Sequence, residues 1–220
     1  MSDFDNSKPK LNLKEHWNKA YKNNSQEKLG WFETDLSPML GLINKTNLDK
    51  NAKIINIGAG STTLIDELIK LKYTNIIATD ISEIALKNLE LRVGKQNINT
   101  IVDDLSNPQS LSQVDNVDLW VDRAVLHFFT DQKDRETYFK LLSKMVKPNG
   151  YAILAQFNTN SAKFCSGLTL YPYDSEKLKK HIGNEFSLID SFNYTYTMPS
   201  GDKREYIYTL FKKKLNGKTT

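Results

Sequence analysis

The 220-residue chain predicts an α/β fold, a doubly wound sheet of seven strands that is mostly parallel and ends in an antiparallel C-terminal hairpin. Three observations predict this fold. Short β-branched runs alternate with runs of helical period, which is the pattern of βαβ units. The run Lys53–Ile57 leads directly into the glycine turn Gly58-Ala59-Gly60. Two long aromatic and β-branched runs, with no helix between them, follow near the C-terminus.

The first fifty residues differ from this alternating pattern. Leu13–Asn24 has helical period and places Trp17 and Tyr21 four positions apart on one face. A second helical run, Pro38–Ile43, follows the aromatic pair Trp31-Phe32. This part of the chain therefore predicts a helical, aromatic lid rather than a part of the sheet.

From there on, strands and helices alternate in chain order. The predicted elements are strand Lys53–Ile57, helix Thr62–Leu71, strand Asn75–Asp80, helix Ile84–Val93, strand Asn99–Asp103, a polar loop Ser106–Gln113, strand Val117–Asp122, helix Lys133–Val146, a turn at Pro148-Asn149-Gly150 and strand Tyr151–Phe157. Right-handed crossovers through these helices make the five strands parallel.

The C-terminal runs Phe186–Thr197 and Glu205–Lys213 are joined by Met198–Asp202. Because no helix separates them, they should pair antiparallel at the edge of the sheet. The whole is then a Rossmann-like sheet. We expect a single-domain protein, with residues 1–50 as the lid segment and residues 51–214 as the ligand-binding domain.

The bulk composition narrows the class of protein. Hydrophobic residues make up 39% and charged residues 25% of the chain, as in ordinary globular domains, and the net charge is only +4. This small, dispersed charge argues against a nucleic-acid partner. Cys165 is the only cysteine, so no intrachain disulfide and no thiolate zinc cluster is expected, and we predict no metal site.

The sequence also bears on location. The start Met1-Ser2-Asp3-Phe4-Asp5 is acidic and lacks the apolar segment of a secretory signal. No apolar run approaches the roughly 20 residues that cross a bilayer. We therefore expect a cytoplasmic protein without a membrane partner, either a monomer or a homodimer.

The strand ends predict a cofactor site. Ligands of doubly wound sheets bind at the carboxyl ends of the strands. Here the first strand ends at Gly58-Ala59-Gly60, where the backbone can turn tightly, and Ser61 or Thr62 can cap the next helix. The next strands end at Asp80-Ile81-Ser82, Asp103-Asp104-Leu105 and Asp122-Arg123-Ala124. A carboxylate such as Asp80 can accept both hydroxyls of a ribose.

The same residues discriminate between cofactors. The third glycine of the dinucleotide fingerprint is missing, because position 63 is threonine. A pyrophosphate needs that close helix approach, and the surrounding acids oppose a polyphosphate while favouring a cation. S-adenosylmethionine, which has a ribose and a sulfonium charge but no phosphate, fits better than NAD.

At this point the chain, over roughly Asn51–Lys214, resembles the class I (seven-β-strand) S-adenosylmethionine-dependent methyltransferases. The segment His16-Trp17…Tyr21…Gly30-Trp31-Phe32, followed by Asp80-Ile81-Ser82, is similar to the group that contains citrate-synthase and elongation-factor lysine methyltransferases. Bacterial small-molecule methyltransferases share parts of it. The chain departs from the family at Asn56, where an acid is usual. Its segment Asp122–Phe128 also differs from the Asp-Lys-Gly segment of the elongation-factor enzymes.

The resemblance implies positions for the cofactor. Gly58 and Gly60 would pass under the methionine part, Asp80 would hold the ribose, Ile81 would pack on adenine, and Asp104 with the Leu105 backbone would meet the adenine amino edge. The aromatic residues of the lid would face the sulfonium by cation–π attraction, unless they only pack on the sheet. The predicted cofactor-binding residues are Trp17, Tyr21, Trp31, Asn56, Gly58, Ala59, Gly60, Asp80, Ile81, Asp104, Leu105 and Asp122.

Three residues after the fourth strand are candidates for catalysis. His127 is the candidate general base, and the alternative is a histidine packed beside Phe128. Asp122 would contact the methionine end or an acceptor amine, or else cap the next helix. Arg123 would bind an acidic substrate, or form an ion pair with Asp122 or a neighbouring acid.

The sequence says less about what is methylated. The predicted acceptor pocket contains Phe32, His127, Cys165 and Tyr171. The favoured function is methyl transfer from S-adenosylmethionine, which becomes S-adenosylhomocysteine, to a small nucleophile: a thiol, an amine or a carboxylate. A protein-lysine N-methyltransferase is the alternative enzyme, and a catalytically silent S-adenosylmethionine-binding protein is the alternative of another class.

Overall fold

The computed structural model describes residues 12–60 and 62–215. Its main sheet has seven strands, in the order β3-β2-β1-β4-β5-β9-β8. These strands are β1 (Lys53–Ile57), β2 (Asn75–Asp80), β3 (Asn99–Val102), β4 (Val117–Arg123), β5 (Val146–Phe157), β8 (Phe186–Thr197) and β9 (Lys203–Lys213). The first five are parallel, whereas β9 pairs antiparallel with both β5 and β8. The predicted fold class is confirmed.

Helices cover both faces of this sheet. They are α1 (Leu13–Asn23), α2 (Ser37–Lys45), α3 (Leu64–Lys70), α4 (Glu83–Val93), α5 (Gln132–Met145) and α6 (Ser175–Ile182). Apolar residues of α2, α3 and α4 share one core with Ile54 of β1, while those of α5 and α6 share the other with Ile55. Consecutive strand residues point to opposite faces, so a strand covered on both sides is apolar throughout.

The strand order changes direction at β1 and β4, which places their carboxyl ends side by side at the switch point of the fold. The two strands run in register, with Ile57 opposite Asp122. The loops after β1, β2 and β4 therefore converge at one edge of the sheet, and helix α1 contacts α4 next to them.

Most element boundaries agree with the predictions within two residues, as for helix α3, which begins at Leu64, but three segments differ. Strand β5 begins at Val146, five residues before the predicted Tyr151. Helix α6 was not predicted, and neither was the small hairpin of β6 (Phe164–Cys165) and β7 (Leu168–Thr169). The hairpin strands are only two residues long, which is too short for periodicity to reveal.

The predicted turn at Pro148-Asn149-Gly150 lies inside the irregular start of β5. The pairing with β4 shifts between Val117 and Leu119, and Asn149 has a φ of +64°. A backbone with positive φ interrupts regular strand geometry.

In the part of the chain that the structure describes, no helix is long and apolar enough to cross a membrane.

Candidate active site

The turn after β1 admits only glycine at two positions. Gly58 has a φ of +56° and Gly60 a φ of +52°. A Cβ atom on Gly58 would lie 2.1 Å from Val125 Cγ2, and one on Gly60 would lie 2.3 Å from the hydroxyl oxygen of Tyr21. Both the backbone conformation and the available space therefore require glycine. The turn is enclosed by the segment after β4 on one side and by helix α1 on the other.

Asp80 closes strand β2 beside this turn. Its Oδ2 accepts the Gly60 N–H at 2.9 Å, and its Oδ1 accepts the Ser82 N–H at 2.8 Å. Burial raises the pKa of Asp80 to about 6, although these backbone hydrogen bonds oppose the rise. A carboxylate offers about four acceptor sites. Asp80 therefore keeps acceptor capacity for two hydroxyl groups.

Asn56 carries an unpaired acceptor next to the turn. Its Nδ2 lies 3.4 Å from the Val121 carbonyl oxygen and 3.5 Å from the Ile57 carbonyl oxygen, which assigns the amide orientation. Its Oδ1 is buried and has no hydrogen-bond partner among the residues that the structure describes. This carbonyl oxygen can accept a hydrogen bond from an ammonium group, the role that an acid usually has in the family that the sequence resembles.

Aromatic side chains of the N-terminal segment lie next to the turn. Trp31 Nε1 donates to the Tyr21 hydroxyl at 3.1 Å, and Trp17 packs edge-on against Trp31 and Phe128 with ring centroids 5.4 and 5.1 Å apart. Burial and the negative charge of Asp80 raise the pKa of Tyr21, so its phenol stays neutral. These aromatic residues thus contact the glycine turn through packing and neutral hydrogen bonds.

One cleft brings most of the predicted site residues together. Those that line it are Trp17, Tyr21, Trp31, Phe32, Asn56, Gly58, Ala59, Asp80, Ile81, Asp104, Leu105, Arg123, His127 and Cys165. Sequence analysis missed further lining residues, among them Glu33, Thr79, Val125, Phe128, Phe157, Met198 and Tyr206. These come from strand ends and loops that are far apart in sequence, and no motif connects them.

Asp122 does not line the cleft, so the predicted contact with cofactor or acceptor is corrected. Its side chain is fully buried. Oδ1 accepts the Val125 N–H at 3.0 Å, and Oδ2 accepts the Leu126 N–H at 3.2 Å and the Tyr138 hydroxyl at 2.6 Å. Burial raises its pKa to about 6 despite these bonds. Asp122 instead holds the short helical turn after β4, which is the structural alternative.

Two other predicted site residues also lie outside the cleft. Tyr171 packs on the face of the sheet that α5 and α6 cover, where the Arg135 guanidinium lies 4.0 Å from its ring centroid. Gly60 lies beneath the Tyr21 hydroxyl and contributes its N–H to Asp80 rather than to the cleft. Of the two predicted helix caps, Ser61 lies outside the described residues, and Thr62 Oγ1 accepts the Leu64 N–H at 3.2 Å.

Asp104 lines the cleft but is partly engaged with its own loop. Its Oδ1 accepts both the backbone N–H and the hydroxyl of Ser106, at 2.8 and 2.7 Å. The neighbouring Asp103 accepts the backbone N–H groups of Gln109 and Leu111. Oδ2 of Asp104 is therefore the carboxylate oxygen that can meet a ligand.

His127 is fully buried, with its ring between Phe128 and Phe157. Its Nδ1 accepts the Phe157 N–H at 3.3 Å, so we assign the proton of the neutral ring to Nε2. Burial and then the Arg123 charge lower its pKa to about 3, against a smaller effect of Gln156. Because a general base needs a free lone pair facing the acceptor, this arrangement weighs against the predicted base and for a hydrogen-bond donor.

Arg123 forms its ion pair with Glu33 of the lid, not with Asp122. The Arg123 Nε lies 2.6 Å from Glu33 Oε2, and both side chains are about nine-tenths buried. Nη1 donates to the Trp31 carbonyl oxygen at 3.1 Å, and the guanidinium lies over the rings of Tyr196 and Tyr206. Burial raises the pKa of Glu33, although the Arg123 charge opposes the rise.

The residues of the cleft fit S-adenosylmethionine on three observations of the structure. The left-handed glycine turn borders the cleft at Gly58, Asp80 has acceptor capacity for a ribose, and Asn56 Oδ1 is an unpaired buried acceptor. Among the described residues, no group of three or more His, Cys, Asp or Glu side chains could hold a metal ion.

Comparison with known proteins gives the same picture. A family model described as a methyltransferase domain matches residues 48–214. EEF1A lysine methyltransferase 2 of Danio rerio is 29% identical over 165 residues, which is 68% of this chain and 70% of that protein. The human protein of that name is 24% identical over 164 residues, covering 67% and 69%.

Two solved structures illustrate the shared fold. A SAM-dependent methyltransferase from Anabaena variabilis has a TM-score of 0.74 at 15% identity and covers 94% of this chain and 98% of its own. The N-methyltransferase NodS of Bradyrhizobium japonicum, in complex with S-adenosyl-L-homocysteine, has a TM-score of 0.68 at 14% identity, with coverage of 92% and 99%.

Proposed function

The chain belongs to the S-adenosylmethionine-dependent methyltransferases, and on that premise we propose that it moves the methyl group to a nucleophilic atom of a small acceptor, a thiol, an amine or a carboxylate. One observation carries the proposal. The cleft is lined by the glycine turn and Asp80 and, beyond β4 in the sheet order, by His127, Phe157 and Tyr206, which are each at most 3% exposed and form what we call its far end. An enclosed end of this kind fits a small group.

S-adenosylmethionine, when bound, supplies a methyl group on a sulfonium, and the acceptor's lone pair forms the new bond as the C–S electron pair returns to sulfur. The chain's contribution is alignment and the exclusion of water. Asp80 would hold the ribose hydroxyls, Asn56 the ammonium group, and the Gly58 turn would lie against the methionine part. The neutral aromatic faces of Trp17 and Trp31 favour a sulfonium near them.

We also propose that the N-terminal segment, described here from residue 12, acts as the lid of this site. The buried Arg123–Glu33 ion pair and the hydrogen bond from Thr63 Oγ1 to the Glu33 carbonyl oxygen, at 3.1 Å, join it to the sheet edge. We likewise propose that residues 51–214 form the ligand-binding domain beneath this lid.

A protein lysine is the second candidate acceptor, for two reasons. The curated relatives are named as lysine methyltransferases. In addition, a surface groove that includes Lys28, the exposed Phe164 and Arg204 shares Gly30, Cys165 and Met198 with the cleft. Such a groove can accommodate the chain on either side of an inserted lysine.

The test is to incubate the protein with S-adenosylmethionine carrying a labelled methyl group and with extract of its own cells, then to separate protein from small molecules. We expect label in the small-molecule fraction. The control is Asp80→Ala, which lacks the carboxylate that would accept the ribose hydroxyls and should show no transfer. Label in protein alone would select the lysine function. Calorimetric binding of S-adenosylhomocysteine without any transfer would select the silent binding protein.

A further inference from the structure

Two buried donors at the far end of the cleft have no acceptor. They are Nη2 of Arg123 and Nε2 of His127, and neither has a hydrogen-bond partner among the residues that the structure describes. Both side chains line the cleft. Buried polar groups in folded proteins are nearly always paired, so two unpaired donors in one cleft indicate that a ligand supplies the acceptors.

The position of these donors separates them from the cofactor. The glycine turn and Asp80 follow β1 and β2, on one side of β4 in the sheet order. Arg123 ends β4, and its neighbours Tyr206 and Tyr208 belong to β9, on the other side of β4. The His127 ring packs on Phe157, at the end of β5. The two donors therefore lie on the β5 and β9 side of the cleft, which leaves them free to meet a molecule other than the cofactor.

The charge at this end is balanced before any ligand binds. The Arg123 guanidinium is neutralised by Glu33 at 2.6 Å, and the His127 ring is uncharged. A carboxylate placed beside Arg123 would also meet the Glu33 carboxylate. Since like charges in a buried site repel strongly, uncharged acceptor atoms match these donors better.

The walls are flat and aromatic. The His127 ring centroid lies 4.6 Å from that of Phe128 and 4.5 Å from that of Phe157, and Phe157 packs edge-on against Tyr206 at 4.8 Å. Aromatic walls of this kind favour a planar ring by offset or edge-to-face packing. The aromatic walls thus favour a planar ring, and such a ring can carry the uncharged acceptor atoms that the two donors need.

We propose that the methyl acceptor is an uncharged, planar aromatic or heteroaromatic molecule, whose carbonyl oxygen or ring-nitrogen lone pairs accept hydrogen bonds from Arg123 and His127. This inference rests on the proposed function and specifies its acceptor. Arg123 and His127 are then residues that determine specificity and position the acceptor, and the methyl group goes to a different atom of the same molecule.

The experiment uses three probes that share one ring and differ in one group: benzamide with an uncharged carbonyl, benzoate with a carboxylate, and toluene with no acceptor. Their binding to the protein saturated with S-adenosylhomocysteine is measured by calorimetry at pH 8. We expect benzamide to bind about 10-fold more tightly than the other two, because one hydrogen bond to a buried donor changes the affinity by about this factor. His127→Phe should weaken this preference, because only the Arg123 donor remains, while His181→Phe, outside the cleft, should preserve it.

A second variant tests the charge argument. Glu33→Gln leaves the Arg123 charge unbalanced, so benzoate should gain about 10-fold and bind about as tightly as benzamide. Equal affinities of the three probes in the wild-type protein, or benzoate as the tightest, would overturn the inference. So would a loss of S-adenosylhomocysteine affinity in His127→Phe, because the donor would then serve the cofactor. Failure of the wild-type protein to bind S-adenosylhomocysteine would refute the proposed function itself.

Discussion

Replacing Gly60 with alanine tests the structure where the lid meets the glycine turn. The new Cβ would lie 2.3 Å from the Tyr21 hydroxyl oxygen, and the backbone φ is +52°. The left-handed conformation costs a residue with a Cβ about 1–2 kcal/mol. Moving Tyr21 away also breaks its hydrogen bond with Trp31, worth about 1 kcal/mol. We expect the free energy of unfolding to fall by about 2–3 kcal/mol in total.

The assay is denaturant unfolding, followed by the intrinsic fluorescence of the tryptophans. Gly41→Ala is the matched control, because a Cβ there meets no atom within 4 Å and the residue lies inside helix α2. That variant should be unchanged or more stable by about 0.4–1 kcal/mol. Gly60→Ala should also weaken S-adenosylhomocysteine binding, since Tyr21 lines the cleft.

The double variant Gly60→Ala with Tyr21→Phe separates the two costs. Removing the hydroxyl relieves the closest contact, so the Cβ in Gly60→Ala should cost less beside Phe than beside Tyr. The cost of the positive φ remains. The reasoning is refuted if Gly60→Ala is as stable as the wild-type protein, or if its cost is the same in the Tyr21→Phe background.

Four further predictions concern the ionisable groups. The pKa of Asp80 is about 6 in the folded protein and about 4 in the unfolded chain, so the folded protein keeps the Asp80 proton to a higher pH. Proton binding at Asp80 therefore contributes about 3 kcal/mol to the free energy of unfolding below pH 4, and this contribution is lost as the pH rises to about 6. Urea unfolding of Asp80→Asn should not show this loss. For the same carboxylate, S-adenosylhomocysteine affinity should fall below pH 6 in the wild-type protein but not in Asp80→Asn. Asp122→Asn should destabilise the fold by about 1–3 kcal/mol, because it disturbs the bond from Tyr138, and should leave cofactor affinity within about twofold. His127→Phe should keep the shape of the pH–rate profile between pH 6 and 9, because the pKa of His127 is about 3.

Each of these has an outcome that contradicts it. An unchanged pH dependence of unfolding in Asp80→Asn would assign the proton uptake to other groups. A large loss of cofactor affinity in Asp122→Asn would restore the predicted contact of Asp122 with the ligand. Disappearance of an acidic limb near pH 6–7 in His127→Phe would restore His127 as the general base.

The fold could be predicted because its signals are local. Strands such as Lys53–Ile57 and Asn75–Asp80 are buried on both faces, so their central residues form short apolar, β-branched runs that are recognisable in a short window. The Phe164–Thr169 hairpin was missed because its strands have two residues each, which carry too few periods to distinguish from a loop. Helix α6 was missed as well, although with eight residues it is longer than helix α3, which has seven residues and was predicted.

The candidate site could be predicted only where it follows a strand end. The glycine turn and Asp80 are set by their order along β1 and β2, and both lie where the sequence indicates. Glu33 had no such signal, because its significance comes from the buried pairing with Arg123, a residue of another element. The partner of a buried charge depends on which segments the fold brings together.

The sequence by itself determined the order of strands and helices along the chain, the glycine turn and the class of cofactor, because these follow from periodicity and from residue types at fixed positions. Only the tertiary structure decided what each polar group at the end of β4 faces. Asp122 is turned inward to Tyr138, whereas Arg123 and His127 keep unpaired donors in the cleft. Neighbouring residues of a strand point to opposite faces, so adjacent positions in one motif came to have different roles.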